Sequence, residues 1–538
     1  MDAVDADLHR QGRRPDVTRR VVLVLVGALA LVQAAGSAPA WQTPARLSPS
    51  DRALGPELGV NPAGDAVVVW DHEQGSDCPT QPASLSCIHI VEAASRSHGA
   101  TAWQPPVEVA RPGIGAAPKV ALDANGAAAI IWVHDIGERR VLQATIRPPG
   151  AAAWPNANDL SGTPFRIQNH QVGMDASGNA VTVWAQRDDA DHFYVVGDLR
   201  PAAGGFWLAP VALSSPGSNA TSGPSLALLP NGEALAAWID GGAVRVARGQ
   251  AAAGTWDPTL TPATGGVGGD TDVDVAMNAG GDAVLAWSWR RSATGPAIGQ
   301  AAFRPGGGNW GAAVDLGTAG TGHSRVQAAI NDTGAAAVVW LDGTALRGEG
   351  RARSTGAWSP ATTIATNVAD AGARLAMSPA GNAVAVWANK ATGAIRAAIR
   401  PAGAAWQAPV RISSPGSSEP RVALDAASRA IAVWNRTAAA PVVLAEAADL
   451  SANGPVLTAV TVPATARAGT TVAFALARRP WASPLAGAPL WHFGDGKNAT
   501  GTHVAHVYQA TGTFTVTVSQ SDATGAKSTA VRHISVHS

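Results

Sequence analysis

Three scarcities frame this chain of 538 residues: charge, at 14% of positions, cysteine, present 2 times, and tyrosine, also present 2 times. The 39 basic residues balance the 39 acidic ones, so no net field draws the protein to nucleic acid or to an anionic membrane. Nucleic acid is therefore not expected as a partner. Catalytic signatures are missing too. The sequence holds no Gly-x-Ser-x-Gly elbow, no His-Glu-x-x-His and no phosphate-binding lysine loop. The stretch GGGNWG at 306–311 matches Gly-x-Gly-x-x-Gly, but it leads into AAVDLG, where no helix N-terminus follows to hold phosphate. No cofactor and no metal are expected.

The longest apolar run, VVLVLVGALALVQAAG at 21–36, has 16 residues. A membrane-spanning helix needs about 20. Two arginine pairs precede the run and Ala38-Pro39-Ala40 follows it, which is the grammar of a signal peptide over residues 1–40 with cleavage near Ala40. An uncleaved anchor is the alternative, and would be the protein's only link to a membrane. Export in turn makes a disulfide the expected state of Cys78 and Cys87, nine positions apart in a loop-rich stretch.

What the chain does have is repetition. Aligned on Trp70, Trp132, Trp184, Trp238, Trp287, Trp340, Trp387 and Trp434, eight copies fall into register. Alanine stands four residues before every one of these tryptophans. Glycine stands six before in seven copies, Ser428 being the exception, and Asn, Asp or Ser stands nine before, Leu229 being the exception. That is tight-turn chemistry. An apolar-small-apolar triplet such as Val120-Ala121-Leu122 precedes the turn, and an unbroken apolar run such as Val67-Val68-Val69 follows it, as in a sheet covered on both faces.

A second tryptophan series (Trp41, Trp103, Trp154, Trp207, Trp256, Trp310, Trp358 and Trp406) and a third strand such as VLQATIRP at 141–148 complete four strands per copy. This pattern resembles the β-propeller superfamily over residues 41–450, in an all-β reading with eight blades. The hairpin signal is shared by several propeller families. The docking motif of quinone-dependent dehydrogenases differs in its Asp-to-Trp spacing and adjacent cysteines, and the sialidase Asp-box order is not reproduced. The tryptophans are read as blade packing rather than as sugar platforms. The chain opens on a lone tryptophan strand at 41–48 and its last copy lacks that strand, so 41–48 is expected to pair beside 442–449 and close the ring.

Residues 451–538 break the beat. WHFGDG at 491–496, HVAHVY at 503–508 and GTFTVTVSQSDATG at 512–525 resemble the polycystic-kidney-disease (PKD) domain, an immunoglobulin-like β-sandwich. The loop FALARRPWASPL at 474–485 departs from that family's Asp- and Ser-rich first loop. The resemblance implies an exported or surface-associated protein. His492, His503 and His506 are close in sequence but face different ways along a strand, so no zinc site is read there.

One recurrence bears on binding. Arg96, Arg147, Arg200, Arg248, Arg304, Arg353 and Arg400 stand near the end of the third strand in seven copies, the eighth having Ala or Asp449. A ring of guanidinium groups on one rim would hold the carboxylates of an acidic polymer, whereas solvated edge charges are the plainer explanation. Paired carboxylates such as Asp135, Glu138, Asp188, Asp189 and Asp191 could meet from separate blades, and a sialidase-type nucleophile would have to be Tyr194. The sequence thus points to a secreted or cell-surface binding or scaffold protein for a glycan, a cell-envelope polymer or a protein. The alternative is a polysaccharide-active hydrolase or lyase.

Overall fold

The computed structural model describes residues 41–538 apart from 49–51, 76–77, 79–86, 101, 114–115, 136–139, 163–165, 189, 191, 219, 267–271, 293, 318–321, 440–441, 451–453, 482–484 and 524–526. The expected signal segment, Glu138, Asp189 and Asp191 lie outside the described residues. Among those described there is no helix, and none long and apolar enough to cross a membrane.

Each repeat folds as an antiparallel sheet whose first three strands pair in sequence order. In the first, Ala53–Val60 pairs with Ala66–Gln74, that with Ile88–Arg96, and that with Val107–Gly113. Eight such sheets occur among the described residues, one carrying a fifth strand, Leu260–Thr264. The first strand of each contacts the first strands of the sheets before and after it, and Ala53–Val60 contacts Ser417–Leu424, so the array closes into a propeller. We number these sheets blades 1 to 8 in the order of their first strands.

The turn residues act as their chemistry requires. In blade 3 the Asp175 carboxylate accepts from the backbone N–H of Ser177 (2.8 Å) and Asn179 (2.9 Å), and Gly178 takes φ +82°. Ser428 replaces glycine yet adopts φ +61°, and its hydroxyl donates to Ser378 Oγ of blade 7 at 2.8 Å. Beyond the turn, the alanines and tryptophans of the repeat are buried in every blade: Ala66 to Ala430 at 0–2% exposure and Trp70 to Trp434 at 0–1%. Small residue and wedge together set the gap between blades.

The ring is closed by its first strand. Ala45 and Arg46 pair with Ala447 and Glu446, Trp41 bridges Leu450, and Ser48 Oγ accepts from the Ala445 N–H at 3.1 Å. Cys78 and Cys87 are joined as a disulfide. GGGNWG is a loop between Ala297–Arg304 and Val314–Leu316.

The C-terminal sandwich pairs Val456–Thr461, Thr471–Arg479 and His503–Val507 in one sheet, and places Thr465–Arg467, Lys527–His537, Gly512–Asp522, Leu485–His492 and Asn498–Thr500 in the other. Trp491, Phe493, Tyr508, Val516 and Val518 fill its core. His506 bonds Asp495 at 2.7 Å and stacks on Phe493, while His492 bonds Asn498, so the three histidines are not brought together. Trp481, from the loop that departs from the PKD pattern, lies in one apolar cluster with Trp434 and Leu450 of blade 8.

Candidate functional site

Most members of the arginine row are held by neighbouring groups. The Arg147 guanidinium lies over Trp154 and donates to Ser95 Oγ of blade 1 at 3.0 Å. Arg304 donates to Glu233 of blade 4 at 2.9 Å, where Arg248 also binds. Arg96 pairs with Asp449 of blade 8 and lies over Trp103. Arg200 donates to the carbonyls of Gly178 and Gly205. Burial pulls Arg147, Arg200 and Arg400 below the usual guanidinium value. Arg96, Arg147 and Arg304 thus bond to the preceding blade, whereas Arg200, Arg248 and Arg400 bond within their own.

Register also revises two members. Arg96, Arg147, Arg200, Arg304 and Arg400 stand opposite the repeat alanines, but in blade 6 that place belongs to Arg351, whose guanidinium lies over Phe303 of blade 5. Arg353 lies two residues past the strand end and is exposed. Arg248 stands opposite Leu235, and Gly249 takes the place opposite Ala234.

Sequence reasoning missed the groups that do converge. Opposite the residue just before each buried tryptophan stands one polar residue of the innermost strand: Glu57, Lys119, Gln171, Ser225, Asp274, Gln327, Arg374 and Arg421. All eight line, with neighbouring residues of the same strands, a cavity of about 720 Å³ to which every blade contributes. A signal existed, since each immediately precedes the apolar-small-apolar triplet.

The backbone is specialised at the same level. Two residues before the ring position, φ is positive in seven blades, at Gly55, Ala117, Asn169, Gly223, Arg325, Gly372 and Glu419. For a non-glycine residue this conformation costs about 1–2 kcal/mol. It recurs here beside bulges that bend the inner strand and re-aim its side chains. Such strain persists where surrounding structure enforces it, often at ligand sites.

Charges in the cavity are arranged unevenly. Arg421 forks onto Glu57 at 2.7 and 2.8 Å, and Lys119 takes the same carboxylate from the other side. Burial works to raise Glu57, but Lys119 and Arg421 override it and hold the carboxyl at about 2. Burial raises Asp274 against the Ala328 N–H and the Ser225 hydroxyl that bond it. His170, behind the ring, is pulled to about 4, first by burial and then by Lys119, and its Nε2–H donates to the Ala117 carbonyl at 2.7 Å.

Other candidates are structural. Asp188 caps a turn through the N–H groups of Ala190 and His192, and Asp135 faces Arg140. The Tyr194 hydroxyl bonds Gln186, which accepts from Trp184, away from the cavity. Glu73, Cys87 and His89 bring ligand atoms within 4.8 Å of one another. They do not fit a metal, because the sulfur is spent in the disulfide, Glu73 holds Arg52 and His89 Nδ1 bonds Asp71 at 2.9 Å.

Residues 452–536 match the family model of the PKD domain. No curated protein matches the chain. Among solved structures, the chain is similar to a fungal alcohol oxidase of the AA5 family in complex with copper, at 12% identity over 93% of this chain and 100% of that one, with a TM-score of 0.43. It is similar to the Dos1 propeller at 8% identity over 76% and 95% of the two chains, TM-score 0.45. It is also similar to the polysaccharide lyase Uly1 at 9% identity over 78% and 94%, TM-score 0.43. Likeness at this level carries nothing about activity.

Proposed function

We propose that the protein is an exported, non-catalytic binding or scaffold protein of the cell surface or exterior, with the axial cavity as its ligand site and a glycan or a protein as ligand. One observation carries this reading. Eight internal copies keep Ala and Trp unchanged where blades pack, but at the cavity position they use six residue types: Glu, Lys, Gln, Ser, Asp and Arg. Packing alone would call for a uniform residue there, as it does at the other two positions. The disulfide and the PKD domain agree with an oxidising, extracellular setting. Arg96, Arg147 and Arg304, being engaged between blades, are not the surface proposed for the ligand.

A binding screen of residues 41–538 against glycans and cell-wall polymers tests the proposal. Retention should weaken in Gln171→Ala and Gln327→Ala, and retention indifferent to both would overturn it. The second reading, a hydrolase or lyase, is favoured by Asp272 and Asp274, two residues apart on one strand and both lining the cavity, with Asp274 raised by burial. Product release from an acidic polysaccharide that disappears in Asp274→Asn would establish it instead.

A further inference from the structure

The cavity has one cation too many on one side. At three junctions of the ring a side chain of one blade meets a partner on the next: Arg421 meets Glu57, Glu57 meets Lys119, and Ser225 meets Asp274. Blade 7 places like charges side by side instead. The neighbouring ring residue for Arg374 is Arg421, another cation, and that one is already forked onto Glu57. On the other side Arg325 turns to Asp272 at 3.5 Å and to the Asp370 carbonyl. Among the described residues Arg374 forms no ion pair, and its Nη1 has only the Ala373 carbonyl at 3.4 Å. Burial first, and then Arg421, depress it, with Glu57 and Asp274 offsetting part of the effect.

A half-buried guanidinium beside like charge, open to a cavity, is relieved by an oxyanion that accepts its unused N–H groups. We infer that Arg374, flanked by Arg325 and Arg421, is the seat for the anionic group of an acidic saccharide. This deepens, and rests on, the reading of the cavity as the ligand site. The rest of the wall selects the class. Gln171, Gln327 and Asn169 present amides, and among the described residues no aromatic ring or sizeable apolar pocket lines the cavity for a peptide side chain. Its volume suits a small ligand or the end of a chain.

The test is calorimetric titration of residues 41–538 and of Arg374→Gln with three probes: a uronic-acid trisaccharide, its neutral methyl ester, and an acidic pentapeptide. The wild type should bind the free acid roughly tenfold or more above the ester, as expected of a charge-assisted bond. Arg374→Gln should erase that difference while leaving the ester unchanged. The unliganded variant should melt no lower than wild type, because a like-charge contact is removed; this separates loss of the seat from damage to the fold. If acid and ester bind equally, or the variant keeps the preference, the anion seat is wrong and the cavity reading stands. A preference for the peptide overturns the saccharide class. Binding of no probe, together with silent Gln171→Ala and Gln327→Ala variants in the screen, removes both readings.

Discussion

The Arg96 guanidinium engages both carboxylate oxygens of Asp449, a residue 353 positions later in the chain. In blade 8 the place opposite the repeat alanine belongs to Leu450, and Asp449 stands one residue before it, opposite Ile431. Its carboxylate is the partner that the first blade's arginine meets when the ring closes on itself. Asp449→Ala should therefore lower unfolding stability by about 1–3 kcal/mol, as for a hydrogen bond to a partly buried charge. Urea titration measures it, and a charge-swapped Arg96→Asp, Asp449→Arg pair should recover part of the loss. A loss confined to exposed-pair size, well under 1 kcal/mol, would count against a closing role.

Deleting residues 41–48 should uncover the edge of Val442–Leu450 and remove the Ser48 and Leu47 contacts from the seam. Calorimetry should show a broader transition at lower temperature, since the whole ring shares the seam. An unchanged, sharp transition would mean that side chains alone close it.

Trp287 is buried against Trp289, the ring centroids 5.9 Å apart at 77°. Replacement by alanine should cost about 3–5 kcal/mol, because a large wedge leaves a cavity between blades. In the same variant, whatever remains folded should retain glycans as wild type does. A selective loss of retention without loss of stability would make this tryptophan a ligand contact.

Two buried groups oppose each other in acid. Burial raises Asp198 to about 7, so its contribution is full below the unfolded value of 3.8 and is lost as pH rises through about 7. His170 is depressed to about 4, so its contribution is present above 6.5 and is lost as pH falls through about 4. Asp198→Asn should flatten the decline in melting temperature between about pH 4 and 7. His170→Gln should flatten the fall toward pH 4, with each unit of displacement worth about 1.4 kcal/mol. A pH profile unmoved by either substitution would show that these groups are solvated.

The blade was legible because its parts are local: Ala128, Gly126 and Trp132 state a turn, a tight contact and a wedge within one short segment. The closing strand was legible by counting, and the disulfide by spacing and the expected export. The arginines were visible as a recurrence, but a guanidinium at a strand end reads the same whether it meets water or the previous blade. Arg353 was taken for Arg351 because both stand in RAR and only the pairing with Ala336 separates them. The cavity ring stayed hidden for the opposite reason. Its residues share a position but not a chemistry, and only the closed ring puts Arg374 beside Arg421.

The seam at residues 41–48 also fixes an order of events. The segment made first finds its partner only when residues 442–450 arrive, with the Ser48 to Ala445 bond spanning 397 positions. Hairpins of the first seven blades are short-range and can form as the chain emerges. The circle cannot. Its closure must wait for the eighth blade, and until then two unpaired edges are open to a neighbouring molecule. Closure is therefore expected to be a search between distant ends, with exchange of the first strand between two chains as its expected hazard.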